Sequence, residues 1–342
     1  MVTIDVIENT AHFCGFRAEW SRFLEATVPE TPFQRPEWLM TWWSHFGSGS
    51  LRVLVFRECE RIVGVLPCFV HRWNERRQLT LIGSGLSDYL DPVFDPRYCS
   101  EIVDVLERHL ASFPDWEICD WQDLSSSTPL QRLGPVFVDT PCSQLAFENS
   151  FETYFAKRPK DLRRNLRRYR EKAQQIGTIR FEVGANSDPI LLDALIELHG
   201  ARWRRSGEPG VIESNRAAGF LRDVAAAFAP RDLLRIFALH FNERIVAVVL
   251  AFRSSTTLFS YLSAFDPEYE TFGFGRELLA EAIRYAHENG YRYWNFLRGE
   301  ESYKFSWGAQ PFSKCRLMLN RSDMHIRQPH VTSGETNPLL NA

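Results

Sequence analysis

The chain has 342 residues, a formal net charge of −3 at pH 7, 44% hydrophobic residues and 24% charged residues. This length favours two domains, and the apolar content excludes global disorder. Because the overall balance is slightly acidic, a whole surface built for nucleic acid or anionic lipid is excluded, and any polyanion must bind to a local patch.

The N-terminal stretch MVTIDVIENTAHF has neither a basic region nor an apolar stretch of the secretory type. No later run approaches the ~20 apolar residues of a membrane span. The seven cysteines are scattered, without CxxC spacing or neighbouring histidine pairs. We therefore expect a cytoplasmic protein with reduced thiols and no membrane span.

The first half predicts two helices, roughly 16–27 and 36–46, followed by an antiparallel hairpin. The hairpin, RVLVFRECERIVGVLPCFV from Arg52, has a polar turn at Glu60. The segment GSGLSDYLDP follows it and predicts another turn.

Turn-forming residues cluster between about 125 and 150, in SSSTP, GP and TPCS. This cluster predicts a domain boundary, with an N-terminal domain of residues 1–140 and a C-terminal domain of residues 141–320. The last residues, 321–342, have no apolar period and predict a flexible tail.

A basic amphipathic helix is predicted directly after the boundary. From Lys157 to Lys172, nine residues are basic and only two are acidic, and apolar residues recur at helical spacing. Arg163 and Arg167, one turn apart, are the first candidates for contact with donor phosphates. A solvated basic face is the equally weighted alternative.

The second half repeats the order of the first. Two predicted helices, roughly 191–205 and 216–228, precede the hairpin RIFALHFNERIVAVVLAFR from Arg235, which is identical to the first hairpin at seven of nineteen positions without a gap. This echo predicts a duplicated α-α-β-β unit, and chance similarity of two amphipathic hairpins is the alternative.

The motif LHGARW lies in the first of these helices and places His199, Arg202 and Trp203 within one turn's reach. These side chains are candidates for the wall of a site. His199 could accept a proton from an incoming nucleophile, since an unperturbed histidine has a pKa of about 6.5. A hydrogen-bonded histidine at a domain interface is the alternative.

Beyond the second hairpin, the strand TLFSYLSAF, the segment DPEYETFGFG and a helix beginning at Arg276 predict a strand, a glycine turn and a helix. Gly273 and Gly275 let the backbone approach a ligand where unpaired N–H groups point outward. Such a helix start binds phosphate. A plain tight turn is the alternative, because GxG before a helix is a weak motif by itself.

The order of elements resembles the GNAT fold of acyl-CoA N-acyltransferases. Residues 151–319 are similar to the CelD/BcsL-type acetyltransferase-like domain, which is related to the FemABX peptidyltransferases, through DLRRNLRRYREK, LHGARW, the glycine turn and FLRGEESYKFSWG. The first half resembles the degenerate partner domain of a tandem. The resemblance implies an α/β fold of two GNAT-like domains, each a mixed, mainly antiparallel sheet flanked by helices.

The resemblance also implies the donor site. The pyrophosphate of acyl-CoA would bind the backbone of the glycine turn, residues 272–276, which comprise Phe272, Gly273, Phe274, Gly275 and Arg276. The chain departs from the family at Glu270, because the usual residue three positions before the first glycine is Gln or Arg. A carboxylate repels a diphosphate, so a nearby cation must compensate or the donor is held differently.

The segment ESYKFSWG implies two catalytic residues. Tyr303 resembles the tyrosine that protonates the departing thiolate, and Lys304 could steady donor phosphates or the developing oxyanion. An aromatic that pins a C-terminal helix and a surface lysine are the alternatives. On the acceptor side, Asp88 could hold or deprotonate the acceptor or be a turn aspartate. Tyr89, Arg202, Trp203 and Arg298 are candidates for substrate contacts.

Together these features predict an acyltransferase that moves an acetyl or other acyl group from acyl-CoA to an amine or hydroxyl, in polysaccharide or cell-envelope glycan biosynthesis. No metal-ligand spacing, Walker loop, GxSxG elbow or Rossmann fingerprint is present in the sequence. Two alternatives stay open: a FemABX-like transferase with aminoacyl-tRNA as donor, and a non-catalytic glycan- or nucleotide-binding protein.

Overall fold

The computed structural model describes residues 1–27, 31–147, 150–184, 187–207, 212 and 214–326. The helices are α1 Thr10–Gly15, α2 Arg17–Thr27, α3 Pro36–Phe46, α4 Cys99–Ser112, α5 Phe151–Ala156, α6 Lys160–Gln174, α7 Pro189–Ser206, α8 Asn215–Phe228, α9 Phe274–Glu288, α10 Ser302–Ser306 and α11 Arg321–Ile326. The strands are β1 Val2–Ile7, β2 Ser50–Glu58, β3 Arg61–Trp73, β4 Arg76–Leu81, β5 Val93–Phe94, β6 Ile118–Ser125, β7 Val136–Val138, β8 Cys142–Ala146, β9 Ile179–Gly184, β10 Leu234–Phe241, β11 Arg244–Arg253, β12 Thr257–Phe265, β13 Tyr293–Arg298, β14 Gln310–Phe312 and β15 Lys314–Asn320.

Two sheets with the same topology confirm the duplicated architecture. The first runs β1-β2-β3-β4-β6-β15-β7, with β5 beside β3, and the second runs β9-β10-β11-β12-β13-β8-β14. In each sheet the pairs are antiparallel except one, β4 with β6 and β12 with β13. The two similar hairpins, β2–β3 and β10–β11, therefore occupy equivalent places, and each follows two helices as predicted.

The two units exchange their last strands. The strand β8, from the end of the first half, pairs with β13 in the second sheet, whereas β15, from the end of the second half, pairs with β6 and β7 in the first sheet. The predicted limits of 1–140 and 141–320 place β15 in the C-terminal domain, although β15 completes the sheet of the N-terminal unit. In the predicted tail, residues 321–326 form α11, and the rest of the tail lies outside the described residues.

The units share a hydrophobic core. Trp38 of α3 is fully buried, and its ring lies edge-on to Phe220 of α8 at 5.0 Å and to Phe252 of β11 at 5.4 Å between ring centroids. Aromatic side chains of this size dominate core energetics. The shared core fixes the first unit against the second, so loops of the first unit can contact strands of the second at defined positions.

Candidate active site

The two parallel strands of the second sheet separate along their length. β12 and β13 pair only from Thr257 with Tyr293 to Phe259 with Asn295. Beyond these residues β12 runs on to Phe265, while β13 continues beside β8 with a bulge between Asn295 and Arg298. The ends of β12 and β13 are therefore not paired with each other, and the interval between them is here called the donor gap, after the donor that it is predicted to hold.

The end of β13 has an unusual backbone. Leu297 has a φ of 60°, in the left-handed region that a bulky side chain avoids, and it is only 3% exposed. Its N–H donates to the Oδ1 of Asn295 over 2.8 Å. Strain of this kind persists only where the surroundings hold it, and it clusters at functional sites.

The glycine turn lies between β12 and α9. Gly273 adopts a left-handed conformation with φ 64° and ψ 28°, directly before the first residue of α9. The N–H groups of Arg276 and Glu277 donate to its carbonyl over 3.0 and 3.1 Å. The N–H groups of Phe274 and Gly275 precede these bonds and have no acceptor within the helix. The turn therefore offers backbone donors at the positive end of a helix dipole.

The basic helix packs beside this turn. A Cβ on Gly273 would lie 2.7 Å from the ring of Tyr169, and the ammonium of Lys172 lies 4.5 Å from the ring centroid of Phe272. Arg170 binds the carboxylates of Glu277 and Glu281 of α9. The predicted amphipathic helix is thus docked against the glycine turn and the start of α9.

The two arginines that we selected on this helix face solvent. Arg163 donates from Nε to the carbonyl of Arg158 over 3.1 Å, and Arg167 lies 3.9 Å from Glu171 with its side chain 75% exposed. Their contact with donor phosphates stays a prediction. The helix itself is confirmed: its apolar stripe specifies the buried edge, and Leu166 and Ala173 are buried.

The helix α7 forms one side of the site. The guanidinium of Arg202 lies 5.1 Å from the ring centroid of Phe265, and a Cβ on Gly275 would lie 3.2 Å from the same ring. Arg205 donates to the carbonyl of Pro267 over 2.6 Å and lies 3.5 Å from the carboxylate of Glu270. Arg205 therefore pairs with Glu270 beside the glycine turn, and the sequence did not single it out. Its position one turn after Arg202 was the available signal.

His199 is buried, whereas a residue that takes a proton from an incoming nucleophile must be accessible to it. It is 4% exposed, and its Nε2 accepts a hydrogen bond of 3.0 Å from the indole N–H of Trp203. This geometry favours the alternative of a buried, hydrogen-bonded histidine over the predicted catalytic base. Trp203 accordingly orients His199.

Tyr303 stands at the surface of α10. The residue is 42% exposed, and its ring lies edge-on to Phe296 of β13, with 6.1 Å between centroids. Desolvation and the neighbouring Glu301 raise the pKa of its hydroxyl to about 12, although the positive charge of Arg202 opposes this shift. Because Arg202 also covers Phe265 beside the glycine turn, Tyr303 and the turn border the same surface.

Lys304 is buried, whereas its neighbour Tyr303 is exposed. It is 2% exposed, and its ammonium donates to the carbonyls of Arg298 and Gly299 over 2.5 and 3.2 Å, with Glu301 at 2.9 Å. A buried ammonium with these partners does not face an open groove. We therefore correct the predicted contact with donor phosphates: Lys304 fixes the link between β13 and α10.

Asp88 and Tyr89 reach the end of β13 from the first unit. The carboxylate of Asp88, 4% exposed, accepts from the Nε of Arg298 over 2.6 Å, and the hydroxyl of Tyr89 accepts from the Nδ2 of Asn295 over 2.8 Å. The structure thus brings three selected residues together. An ion-paired, buried carboxylate is poorly placed to deprotonate an acceptor, so the predicted role of Asp88 is corrected to an anchor for Arg298.

Among the described residues, no cluster of three or more His, Cys, Asp or Glu side chains is arranged to hold a metal ion. Within the same ranges, no helix is both long and apolar enough to cross a bilayer.

Comparison with protein families places most of this site inside one domain. Residues 160–305 match the model of a family described as "Acetyltransferase (GNAT) domain". The match begins at the start of α6 and ends within α10, so it contains the basic helix, the glycine turn and Tyr303. Comparison with curated protein sequences yields no significant match.

Solved structures share the two-unit fold at low sequence identity. FemX is 12% identical with a TM-score of 0.65, covering 91% of this chain and 98% of its own. The C-terminal domain of a putative lysylphosphatidylglycerol synthetase from Agrobacterium fabrum is 12% identical, with a TM-score of 0.59 and coverage of 93% and 95%. A tandem GNAT protein from the clavulanic acid biosynthesis pathway is 10% identical, with a TM-score of 0.50 and coverage of 93% and 99%.

Residues 160–305 therefore form an acetyltransferase domain of the GNAT type, and the chain as a whole shares the two-unit fold of FemX and of the tandem GNAT protein. The chain's two GNAT-like units form one continuous fold.

Proposed function

We propose that the chain transfers an acyl group, acetyl in the simplest case, from acyl-CoA to an amine or hydroxyl of a sugar or cell-envelope glycan in the cytoplasm. The observation that carries this proposal is the left-handed Gly273 directly before α9, which leaves the N–H groups of Phe274 and Gly275 at the start of that helix. Glycans as acceptors follow from the resemblance to the CelD/BcsL type.

The backbone of the glycine turn would bind the diphosphate, because the helix dipole and the two N–H groups favour an anion there. Arg163 and Arg167 would add positive charge at the surface, and Arg205 offsets the negative charge of Glu270. The thioester carbonyl would then lie in the donor gap, where an acceptor can approach it. Arg202 and Trp203 of α7 would line the path of the acceptor.

The acceptor nitrogen or oxygen forms a bond with the carbonyl carbon, and the bond from that carbon to sulfur breaks. The acceptor loses one proton to solvent, and the departing sulfur gains one, so the reaction yields the acylated acceptor and free coenzyme A. Tyr303 would supply the proton, or a hydrogen bond, to the sulfur as negative charge develops on it.

Isothermal titration with coenzyme A and with acetyl-CoA tests the donor. We expect both ligands to bind, with dissociation constants of roughly 1 μM to 1 mM. Acetyl-phosphopantetheine, which keeps one phosphate but lacks the second phosphate and the adenosine, should bind far more weakly. If neither thiol ligand binds, the proposed donor is wrong.

A second candidate is transfer from aminoacyl-tRNA, and the exposed basic face of α6 favours it. Four arginines, Arg163, Arg164, Arg167 and Arg168, lie exposed on this helix beside the glycine turn. Polyanion binding to such a face releases counterions, so its logarithmic affinity falls with the logarithm of salt concentration by about 0.7 to 0.9 per phosphate contact.

Replacing Arg163 and Arg167 together by Gln distinguishes the two donors. For acyl-CoA we expect a roughly tenfold rise in the dissociation constant. For tRNA we expect the salt slope to shrink by about two, one for each lost contact. Titrations between 50 and 300 mM salt give both values. The control is Arg22→Gln with Arg108→Gln, which removes two exposed arginines from the first unit. If the α6 variant matches this control, its basic face contacts neither donor.

A further inference from the structure

Four consecutive residues of the first unit contact both strands of the donor gap. On the β12 side, the carbonyl of Leu86 accepts from the hydroxyl of Tyr261 over 3.0 Å. On the β13 side, the carbonyl of Ser87 and the carboxylate of Asp88 accept from Arg298, and the hydroxyl of Tyr89 accepts from Asn295, as described above. The residues 86–89 are here called the clamp loop.

The clamp loop is itself held rigidly. The hydroxyl of Ser87 accepts from the indole N–H of the buried Trp38 and donates to the carbonyl of Gly83, each over 2.8 Å. Gly83 has a φ of 103°, and a Cβ at this position would lie 2.6 Å from that hydroxyl. The loop is thus tied to the core that the two units share, so it provides a fixed point for the strands.

Charge compensation links the clamp loop to the exchanged strand β15. Lys314, 1% exposed, binds the carboxylate of Asp123 and donates to the carbonyl of Asp88 over 3.1 Å. Arg298 also lies 3.4 Å from Asp123. Two carboxylates, those of Asp88 and Asp123, therefore face two cations. Removing one charge from such a group leaves the others uncompensated.

The position of Tyr303 depends on the end of β13 that the clamp loop holds. The backbone there includes the strained Leu297, and the carbonyls of Arg298 and Gly299 are bound by Lys304, which is adjacent to Tyr303. Because Lys304 lies in α10, we expect a shift of Arg298 to move α10 and Tyr303 with it. The opposite strand, β12, leads to the glycine turn through Phe265.

We propose that the clamp loop sets the distance between the two sides of the donor gap, which makes Asp88, Arg298 and Tyr261 positioning residues for acyl transfer. The inference rests on the proposed function, because it takes the gap to hold the thioester. The loop follows β4 in the first unit, where the glycine turn follows β12 in the second. The clamp loop of the first unit therefore occupies the position equivalent to the glycine turn and holds the gap of the second unit.

The experiment compares Asp88→Asn and Tyr261→Phe with Asp95→Asn. Asp95 is a matched control: it is 7% exposed and bonded to Arg61 and Arg97 in the first unit, away from the gap. Titration with coenzyme A should give the same affinity for all variants within about twofold. Thiol release from acetyl-CoA is measured with water as acceptor. In the two clamp variants it should be at least roughly tenfold slower, with KM unchanged, because small misplacements of reacting groups slow the reaction strongly.

Hydrogen exchange of residues 293–306 gives a readout without donor. We expect faster exchange there in Asp88→Asn than in the wild type, and no change in Asp95→Asn. If wild type binds neither coenzyme A nor acetyl-CoA, the proposed function fails. The difference in hydrogen exchange still tests whether the clamp loop holds the end of β13. Unchanged exchange and unchanged turnover in both clamp variants would overturn the inference. Tyr261→Phe removes one hydroxyl only, so it keeps the test valid if Asp88→Asn does not fold.

Discussion

Replacing Tyr303 by Phe is expected to lower kcat roughly 100-fold while leaving the donor's dissociation constant within about twofold of wild type. In the proposed mechanism the phenol contacts the sulfur only as the thioester breaks, so its loss would remove transition-state stabilisation rather than ground-state binding. The substitution keeps the ring that packs edge-on to Phe296. Steady-state release of thiol and titration with coenzyme A measure the two quantities separately.

The control for this prediction is Tyr293→Phe. Tyr293 lies in β13 at the closed end of the gap, where it pairs with Thr257. Its loss should leave kcat unchanged within about twofold. Equal turnover in wild type and Tyr303→Phe would remove Tyr303 from the mechanism.

The pKa of Tyr303 adds an expected pH dependence. The group must carry its proton to act, and partial desolvation together with the negative charge of Glu301 raises its pKa to about 12. Activity that depends on Tyr303 is therefore fully present below that value and is lost only as pH rises through it. We expect no alkaline fall in kcat from this residue below about pH 11. An alkaline fall near pH 9 that disappears in Tyr303→Phe would contradict the assignment.

The sequence predicted those parts of the fold that depend on local patterns. The helices α2, α3, α7 and α8 and the hairpins β2–β3 and β10–β11 lie where apolar periodicity placed them. The amphipathic α6 also follows from its own residues, because one stripe of side chains indicates the buried edge. The glycine turn was predicted from its composition together with the order of the surrounding elements.

The strand exchange could not be predicted from such patterns. Residues in β8 and β15 alternate as strands in either sheet would, and the choice of sheet depends on pairing between distant segments. The partners of Arg298 could not be predicted for the same reason. Asp123 and Lys314 carry no motif, and only the crossing of the exchanged strands brings them to Arg298.

Charged residues were the least predictable part of the site, because their role depends on their partners. Sequence reasoning selected both Tyr303 and Lys304 from one motif, yet adjacent positions on a short helix point in different directions, one to the surface and one to buried carbonyls. Likewise, Glu270 raised the alternatives of a nearby cation or a differently held donor, and only the structure shows that Arg205 lies 3.5 Å from its carboxylate.

Replacing Gly273 by Ala should weaken donor binding at least tenfold, and this result separates the glycine turn from a plain tight turn. An alanine in the left-handed region costs about 1–2 kcal/mol, and its Cβ would meet the ring of Tyr169 at 2.7 Å. Relief of that contact requires the turn or α6 to move, which displaces the N–H groups of Phe274 and Gly275 and the cations beside them.

Gly290→Ala is the matched variant. Gly290 also has a positive φ, of 77°, but nothing lies within 4 Å of the added Cβ. Both variants should lose free energy of unfolding in urea, since both place alanine in the same backbone region, and Gly273→Ala should lose more because its Cβ also meets Tyr169. Only Gly273→Ala should lose affinity for coenzyme A, because only there does the backbone both face the donor and touch α6. Retained affinity in Gly273→Ala would mean that the start of α9 does not hold the diphosphate, and with it the assignment of acyl-CoA as donor would lose its principal support.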